Sequence, residues 1–126
     1  MVTKFYQKLK NNLNSNNLFY NYYGEKYYYK DIKKFALKFS NVIRDLPNKR
    51  NKICVISDKC FDLYATSLSI ILTNNIWVPI SASSPDGRVF EMIEKLDPDL
   101  LIVQNISTLK MLRIKSFLKK KNIKTI

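Results

Sequence analysis

The chain has 126 residues, 46% of them apolar and 13% aromatic, enough for a buried core without disulfide or metal staples. Histidine is absent, which excludes a Ser-His-Asp triad, a Cys-His dyad and any histidine-ligated metal site; two cysteines cannot make a multi-ligand zinc cluster. The 22 Lys+Arg against 10 Asp+Glu leave a net charge of +12, which invites a nucleic-acid or anionic-membrane partner. Against that, most of the charge is Lys rather than the Arg that planar phosphate and base recognition favours. An abundance of Lys, Asn, Ile and Tyr with 2 Gly is also what drift in an AT-rich genome produces. Lys119, Lys120 and Lys121 form the unbroken basic run.

In chain order, residues 3–13 fit a short basic helix with Phe5, Leu9 and Leu13 on one face. Met1 to Leu13 lacks the apolar segment of a signal peptide, and the apolar run Leu68 to Leu72 is too short to span a bilayer. Cys54 reads as a core residue and Cys60 as a free thiol, which suits a reducing cytoplasm. A soluble cytoplasmic protein with no membrane partner is expected. The β-favouring runs 18–23 and 26–29 flank Gly24-Glu25 and predict a hairpin. Its tyrosines are suited either to cross-strand pairing or to base stacking.

Ile32, Phe35, Ala36, Phe39, Val42, Ile43 and Leu46 keep helical spacing, with Asp31 in the first turn and Pro47 as the stop. Ile53 to Ser57 is a continuous apolar strand of the kind buried on both faces of a parallel sheet. A second helix from Phe61 to Leu72 ends at Asn74-Asn75, where asparagine can take left-handed backbone. Strand 76–80 carries Pro79, which belongs at an edge or an end. Ser84 as N-cap and Pro85 at the first helical position open a third helix with Val89, Met92, Ile93 and Leu96 inside. Strand 100–103 follows, then a helix capped by Ser107 and running to Lys121, then the start of another strand at 123–126. The prediction is an α/β fold: an N-terminal hairpin, then a βαβαβ parallel sheet with flanking helices, incomplete at its C-terminus. Residues 1–17 read as a basic helical extension and 18–126 as the front part of a larger domain.

Chemistry-bearing motifs are scarce. Neither Gly24 nor Gly87 has a second glycine at phosphate-loop spacing. Asp58, Asp62, Glu91, Glu94, Asp97 and Asp99 fall on turns and helix faces, where solvated acids are the ordinary reading and an acid–base pair the alternative.

Order and spacing resemble the AMP-forming adenylating enzymes: acyl-CoA synthetases, adenylation domains of nonribosomal peptide synthetases, D-alanine–carrier-protein ligases and luciferase. Tyr27-Tyr28-Tyr29-Lys30-Asp31-Ile32 resembles their Leu-Thr-Tyr-x-Glu-Leu motif, with Tyr28 in place of Thr. Residues 72–81, containing Trp77-Val78-Pro79-Ile80-Ser81, and then Pro85-Asp86-Gly87-Arg88 resemble Leu-Lys-Ala-Gly-Ala-x-Tyr-Val-Pro-Leu-Asp followed by Pro-x-x-Arg. Asn75 stands at the family's Gly, as a residue suited to positive φ, and Ser81 at its Asp. Pro98-Asp99-Leu100-Leu101-Ile102-Val103 continues the pattern, so that the resemblance covers roughly residues 18–105.

The resemblance implies the N-terminal portion of an enzyme that activates an amino acid or acyl carboxylate with ATP, as an acyl-adenylate, for transfer to a thiol. It implies ATP and Mg as cofactors of the complete enzyme, with none expected to bind this chain alone. The implied partners are the remainder of the adenylation domain and a carrier protein or CoA. The phosphate loop, adenine and ribose motifs and lid lysine would lie outside this stretch, so no catalytic residue and no metal ligand is assigned. Tyr29, Asp31, Pro79, Pro85 and Arg88 match motif positions, with a structural role expected for each. For Arg88, pairing with a nearby carboxylate is expected over contact with a phosphate. A reading of another class, a basic αβ module that binds nucleic acid, rests on the charge, the lysine run and the tyrosines.

Overall fold

The computed structural model describes residues 4–22, 24–119, 121 and 123–126. The Phe5 side chain, Tyr23 and Lys120 of the readings above lie outside the described positions. Chain order is α1 (Lys4–Leu13), β1 (Leu18–Tyr22), β2 (Glu25–Tyr28), α2 (Tyr29–Val42), β3 (Lys52–Ser57), α3 (Phe61–Leu72), β4 (Ile76–Ser81), α4 (Asp86–Leu96), β5 (Leu100–Gln104) and α5 (Thr108–Leu118).

β1 and β2 form the antiparallel hairpin, turned at Gly24 with φ 83°, and Tyr20 pairs opposite Tyr27. β4-β3-β5 is a parallel sheet in that order, with Val55 opposite both Pro79 and Ile102. Pro79 lies on an edge strand, where a missing N–H leaves no gap in the ladder. The segment 123–126 extends the sheet beside β5: Leu101 and Thr125 form a parallel bridge, and the Val103 N–H donates to the Ile126 carbonyl at 2.9 Å.

Helices cover both faces. Phe39 of α2 and Ile70 of α3 pack with Ile53, Val55, Leu100 and Ile102 on one face. Val89 and Ile93 of α4 and Ile114 of α5 pack with Cys54, Ile56, Leu101 and Val103 on the other. Phe90 and Phe117 stack at 4.3 Å and join α4 to α5.

Three boundaries differ from the periodicity. The apolar spacing predicts α2 to Leu46, but the helix stops at Val42, and a turn follows in which the Leu46 N–H donates to the Ile43 carbonyl at 3.1 Å. Ile43 and Leu46 still pack on the core from the turn that follows. Pro85 is the N-cap of α4 rather than its first helical residue, and no side chain caps that end. α5 stops at Leu118 rather than Lys121.

Positive φ falls on Asn74 (φ 62°), not on Asn75 as the family alignment suggested. Asn74 closes α3 in a Schellman turn: its N–H reaches the Ile71 carbonyl at 3.1 Å and that of Asn75 reaches Ile70 at 3.0 Å. The buried Asn75 works through its side chain, whose Oδ1 accepts from the Asn51 backbone N–H at 2.9 Å and from Asn51 Nδ2 at 3.2 Å. Asn74→Gly is therefore expected to leave stability within about 0.5 kcal/mol, whereas Asn74→Ala costs about 1 kcal/mol. Asn75→Gly should cost about 1–3 kcal/mol by stranding a buried donor. Urea unfolding of the three variants checks the order; a neutral Asn75→Gly beside a damaging Asn74→Gly would reverse the assignment.

Candidate functional site

In open parallel sheets, ligands sit outside the carboxyl ends of the strands, where consecutive connections leave on opposite faces. β3 leads into α3 on one face, while β4 and β5 lead into α4 and α5 on the other, so that edge is the candidate site. Ser81, Ser57 and Gln104 end the three strands side by side in register. An open cleft of about 530 Å³ lies along the ends of β3 and β4, walled by Ser57, Lys59, Leu63, Pro79, Ser81 and Ser83.

The polar groups there are occupied locally. Ser57 Oγ donates to the Asp58 carbonyl at 2.7 Å, and Ser81 and Ser83 share a hydroxyl–hydroxyl bond of 2.8 Å. Cys60 serves as N-cap of α3, its Sγ accepting from the Leu63 N–H at 3.4 Å. Its short polar side chain does what serine usually does at that position, and nothing in the residue pattern had assigned it. Thr66 Oγ1 donates to Gln104 Oε1 at 3.3 Å, while Gln104 Nε2 is buried without a partner. With no histidine in the chain, no Ser-His pair forms there; the charged side chains that share the cleft with these hydroxyls are Asp58 and Lys59.

The sequence-predicted residues occupy two places. Tyr29 and Asp31 sit where the hairpin enters α2. Asp31 Oδ2 accepts from the Tyr28 N–H at 2.8 Å, and the Tyr29 ring meets Phe19 edge-on at 5.2 Å. Pro79, Pro85 and Arg88 lie on β4 and the start of α4. Arg88 is exposed and does not take the nearby carboxylate. Asp86 instead pairs with Arg113 and lies 3.8 Å from the buried Lys110, whose Nζ also donates to the Ser84 carbonyl at 2.5 Å. The difference follows from direction: side chains of α5 come down onto the first turn of α4, whereas Arg88 points to solvent.

The hairpin tyrosines are engaged as pairs: Tyr20 with Tyr27 across the strands at 6.1 Å, Tyr20 with Tyr64, and Tyr27 stacked on Phe61 at 4.1 Å. Glu25 accepts the Tyr27 hydroxyl at 2.9 Å, and that bond pushes the phenol above its ordinary pKa.

A Cβ on Gly24 or Gly87 would meet nothing within 4 Å, so no close approach of protein atoms requires glycine at either position. Among the described residues no cluster of three acidic or cysteine side chains could hold a metal. No described helix is long and apolar enough to cross a membrane.

No protein-family model matches the chain, and no curated protein matches it. Solved structures do. MatB from Rhodopseudomonas palustris with ATP bound matches with a TM-score of 0.75 and 14% identity, over 94% of this chain and 24% of that one. The nonribosomal peptide synthetase FmoA3 with α-methyl-L-serine-AMP bound matches at 0.64 and 21% identity, over 82% of this chain and 11% of that one. VinN matches at 0.75 and 14%, over 94% of this chain and 31% of that one. The chain thus spans less than a third of each of these proteins, and what it shares with them is the fold.

Burial pushes the Cys54 thiol from its ordinary value of 9.0 up to about 12. At pH 8 an aromatic disulfide reagent should modify Cys60 in the native chain, and Cys54 only on unfolding. A pKa raised in the folded state adds stability that is complete below about pH 9 and is lost as pH climbs toward about 12. The difference in unfolding free energy between the natural chain and Cys54→Val should therefore shift against the natural chain across that window. A difference that stays flat would show the thiol is not desolvated.

Proposed function

We propose that this chain is the N-terminal portion of an AMP-forming adenylating enzyme. The observation that carries the reading is the match of 94% of the chain to ATP-bound MatB at a TM-score of 0.75. The ordered motifs from Tyr27 to Val103 support it independently. The complete enzyme would join an amino acid or acyl carboxylate to the α-phosphate of ATP, with Mg and release of pyrophosphate, and pass the acyl group to a carrier protein or CoA thiol. Within it, this portion supplies a frame: a two-faced core around β3 and the hairpin docked on α3. Tyr29, Asp31, Pro79 and Pro85 act in that frame by fixing entries into strand and helix. The free Cys54 and Cys60 suit a reducing cytoplasm.

Adenylation needs donors around the triphosphate and a positive group to meet charge as pyrophosphate leaves. In this reading the donors and the positive group come from the rest of the complete domain, and the reaction belongs to that domain as a whole. ATP–pyrophosphate exchange with the purified chain, across amino acids and short acids, should stay at background. It should rise above background when the polypeptide encoded downstream is added. Exchange by the chain alone would place the reacting groups within these 126 residues, and silence after complementation would remove the enzymatic reading.

A further inference from the structure

The cations are not spread evenly over the fold. Residues 4–44, which make α1, the hairpin and α2, hold nine of the 22 Lys and Arg and two acids, Glu25 and Asp31. Glu25 accepts the Tyr27 hydroxyl and Asp31 the Tyr28 N–H. The pairs Glu91–Lys95 and Glu94–Lys121, and Asp86 with Lys110 and Arg113, lie on the α4–α5 side of the sheet, where acids and bases are mixed. On α2, Lys30, Lys33, Lys34, Leu37, Lys38 and Asn41 are all exposed and, at helical spacing, form one outer row. α1 lies alongside: its Leu9 is buried, Lys33 Nζ reaches across to Asn14 Oδ1 at 3.0 Å, and Lys8 and Lys10 are exposed. The acids that border this layer are Asp45, just past α2, and Asp62 on α3, whose charge acts on Tyr27 of the hairpin.

Three features select among anionic partners. The apolar sides of both helices are turned inward, with Ile32, Phe39 and Leu9 buried. Leu37 therefore stands among the lysines without the apolar stripe that a bilayer-docked helix inserts. The hairpin rings are packed on one another and on Phe61 and Tyr64, which takes them from the role of a platform for unstacked bases. No arginine precedes Arg44, so this layer lacks the forked donor that reads base edges. Point charges in a fixed row suit regularly spaced phosphates whose bases are hidden. From Lys30 to Lys38 the row runs about 12 Å at about 1.5 Å per residue, long enough to meet several phosphates of a double helix.

We propose that the α1–α2 face binds the phosphate backbone of double-stranded nucleic acid without reading its sequence. Lys30, Lys33, Lys34 and Lys38 of α2 carry the contact, with Lys8 and Lys10 of α1 beside them. The basic site is thereby placed away from the lysine run at 119–121 and away from the tyrosines that the sequence singles out. The proposal is independent of the adenylating reading, and its test does not use pyrophosphate exchange.

The test uses the full chain and a fluorescent duplex of mixed sequence, followed by anisotropy. Saturable binding is expected near about 50 mM salt, with a log–log salt slope of about −4, as neutralising four or five phosphates requires. A second duplex of unrelated sequence should bind within about twofold, and single-stranded oligothymidylate at least about fivefold more weakly. Lys30→Glu with Lys34→Glu should weaken duplex binding at least about tenfold and bring the slope to about −2. The charge-matched control, Lys115→Glu with Lys119→Glu on α5, should stay within about threefold of the natural chain. Circular dichroism checks that both variants keep the fold. Equal losses in the two variants would overturn the proposal, since net charge and not the α1–α2 face would then be responsible. Tighter binding of the single strand, or no saturation below about 10 μM duplex at about 50 mM salt, would overturn it too. So would binding to phosphatidylserine vesicles at a salt concentration that releases the duplex, since the partner would then be a membrane surface.

Discussion

Every layer of the structure is organised by burial on both sides of β3. Ile53, Cys54, Val55 and Ile56 are all fully buried, and alternation along a strand sends them in turn to opposite faces. Ile53 and Val55 meet α2 and α3, while Cys54 and Ile56 meet α4 and α5. A four-residue run without a polar break leaves neither face free to meet water. The strand must be central, with helices on both sides, and crossovers that place β4 and β5 at its flanks meet that demand. The hairpin is then added from outside, through the Tyr27–Phe61 stack and the Tyr20–Tyr64 contact on the opening of α3.

The two ends of this sheet are treated differently. At the amino ends, short polar side chains bind the strands to one another. Asn51 and Asn75 join the start of β3 to that of β4, while Asp99 accepts from the Lys52 N–H at 2.8 Å and Lys52 Nζ donates to the Leu96 carbonyl at 2.6 Å. Each of these is a contact between elements far apart in sequence, so that end is held as one piece. At the carboxyl ends several side-chain bonds are local: Ser57 to Asp58, Ser81 to Ser83, Cys60 to Leu63. Across that edge run the Ala82 N–H to the Ser57 carbonyl at 3.3 Å, Lys110 Nζ to the Ser84 carbonyl, and the Thr66–Gln104 bond, which leaves half of the glutamine amide without a partner. A braced base and an open upper edge are the division of labour that α/β sheets use to combine rigidity with binding.

The parallel frame was legible because its signals are apolar runs and helical stripes, which tertiary packing reinforces. Strands at 53–57, 76–80 and 100–103 came directly from such runs, and the order of the motifs pointed to the same sheet. Ends were less legible, since they depend on one or two residues competing with their neighbours. Two adjacent asparagines look alike in sequence, yet Asn74 supplies the left-handed turn and Asn75 a buried side-chain clamp. A cysteine as helix cap carries no pattern that separates it from any other free thiol, and the Asp86 partners lie some 25 residues downstream on α5. The carboxyl edge was the least legible part. Its row of Ser81, Ser57 and Gln104 exists only once register aligns three strands.

The excess of positive charge acquires a structural meaning once the acids are located. Asp31 caps α2, Asp99 holds β3, Asp86 joins α4 to α5, Glu25 accepts from Tyr27, and Glu91 and Glu94 pair with Lys95 and Lys121. Six of the ten Asp and Glu residues are thus tied to particular backbone or side-chain partners, and few remain to offset lysines elsewhere. The exposed pairs contribute little to stability, and the net repulsion of a +12 surface works weakly against compaction. It works more strongly against association of like copies, whose surfaces would bring lysine against lysine. A basic composition that arose without selection for polyanion binding would still have this effect.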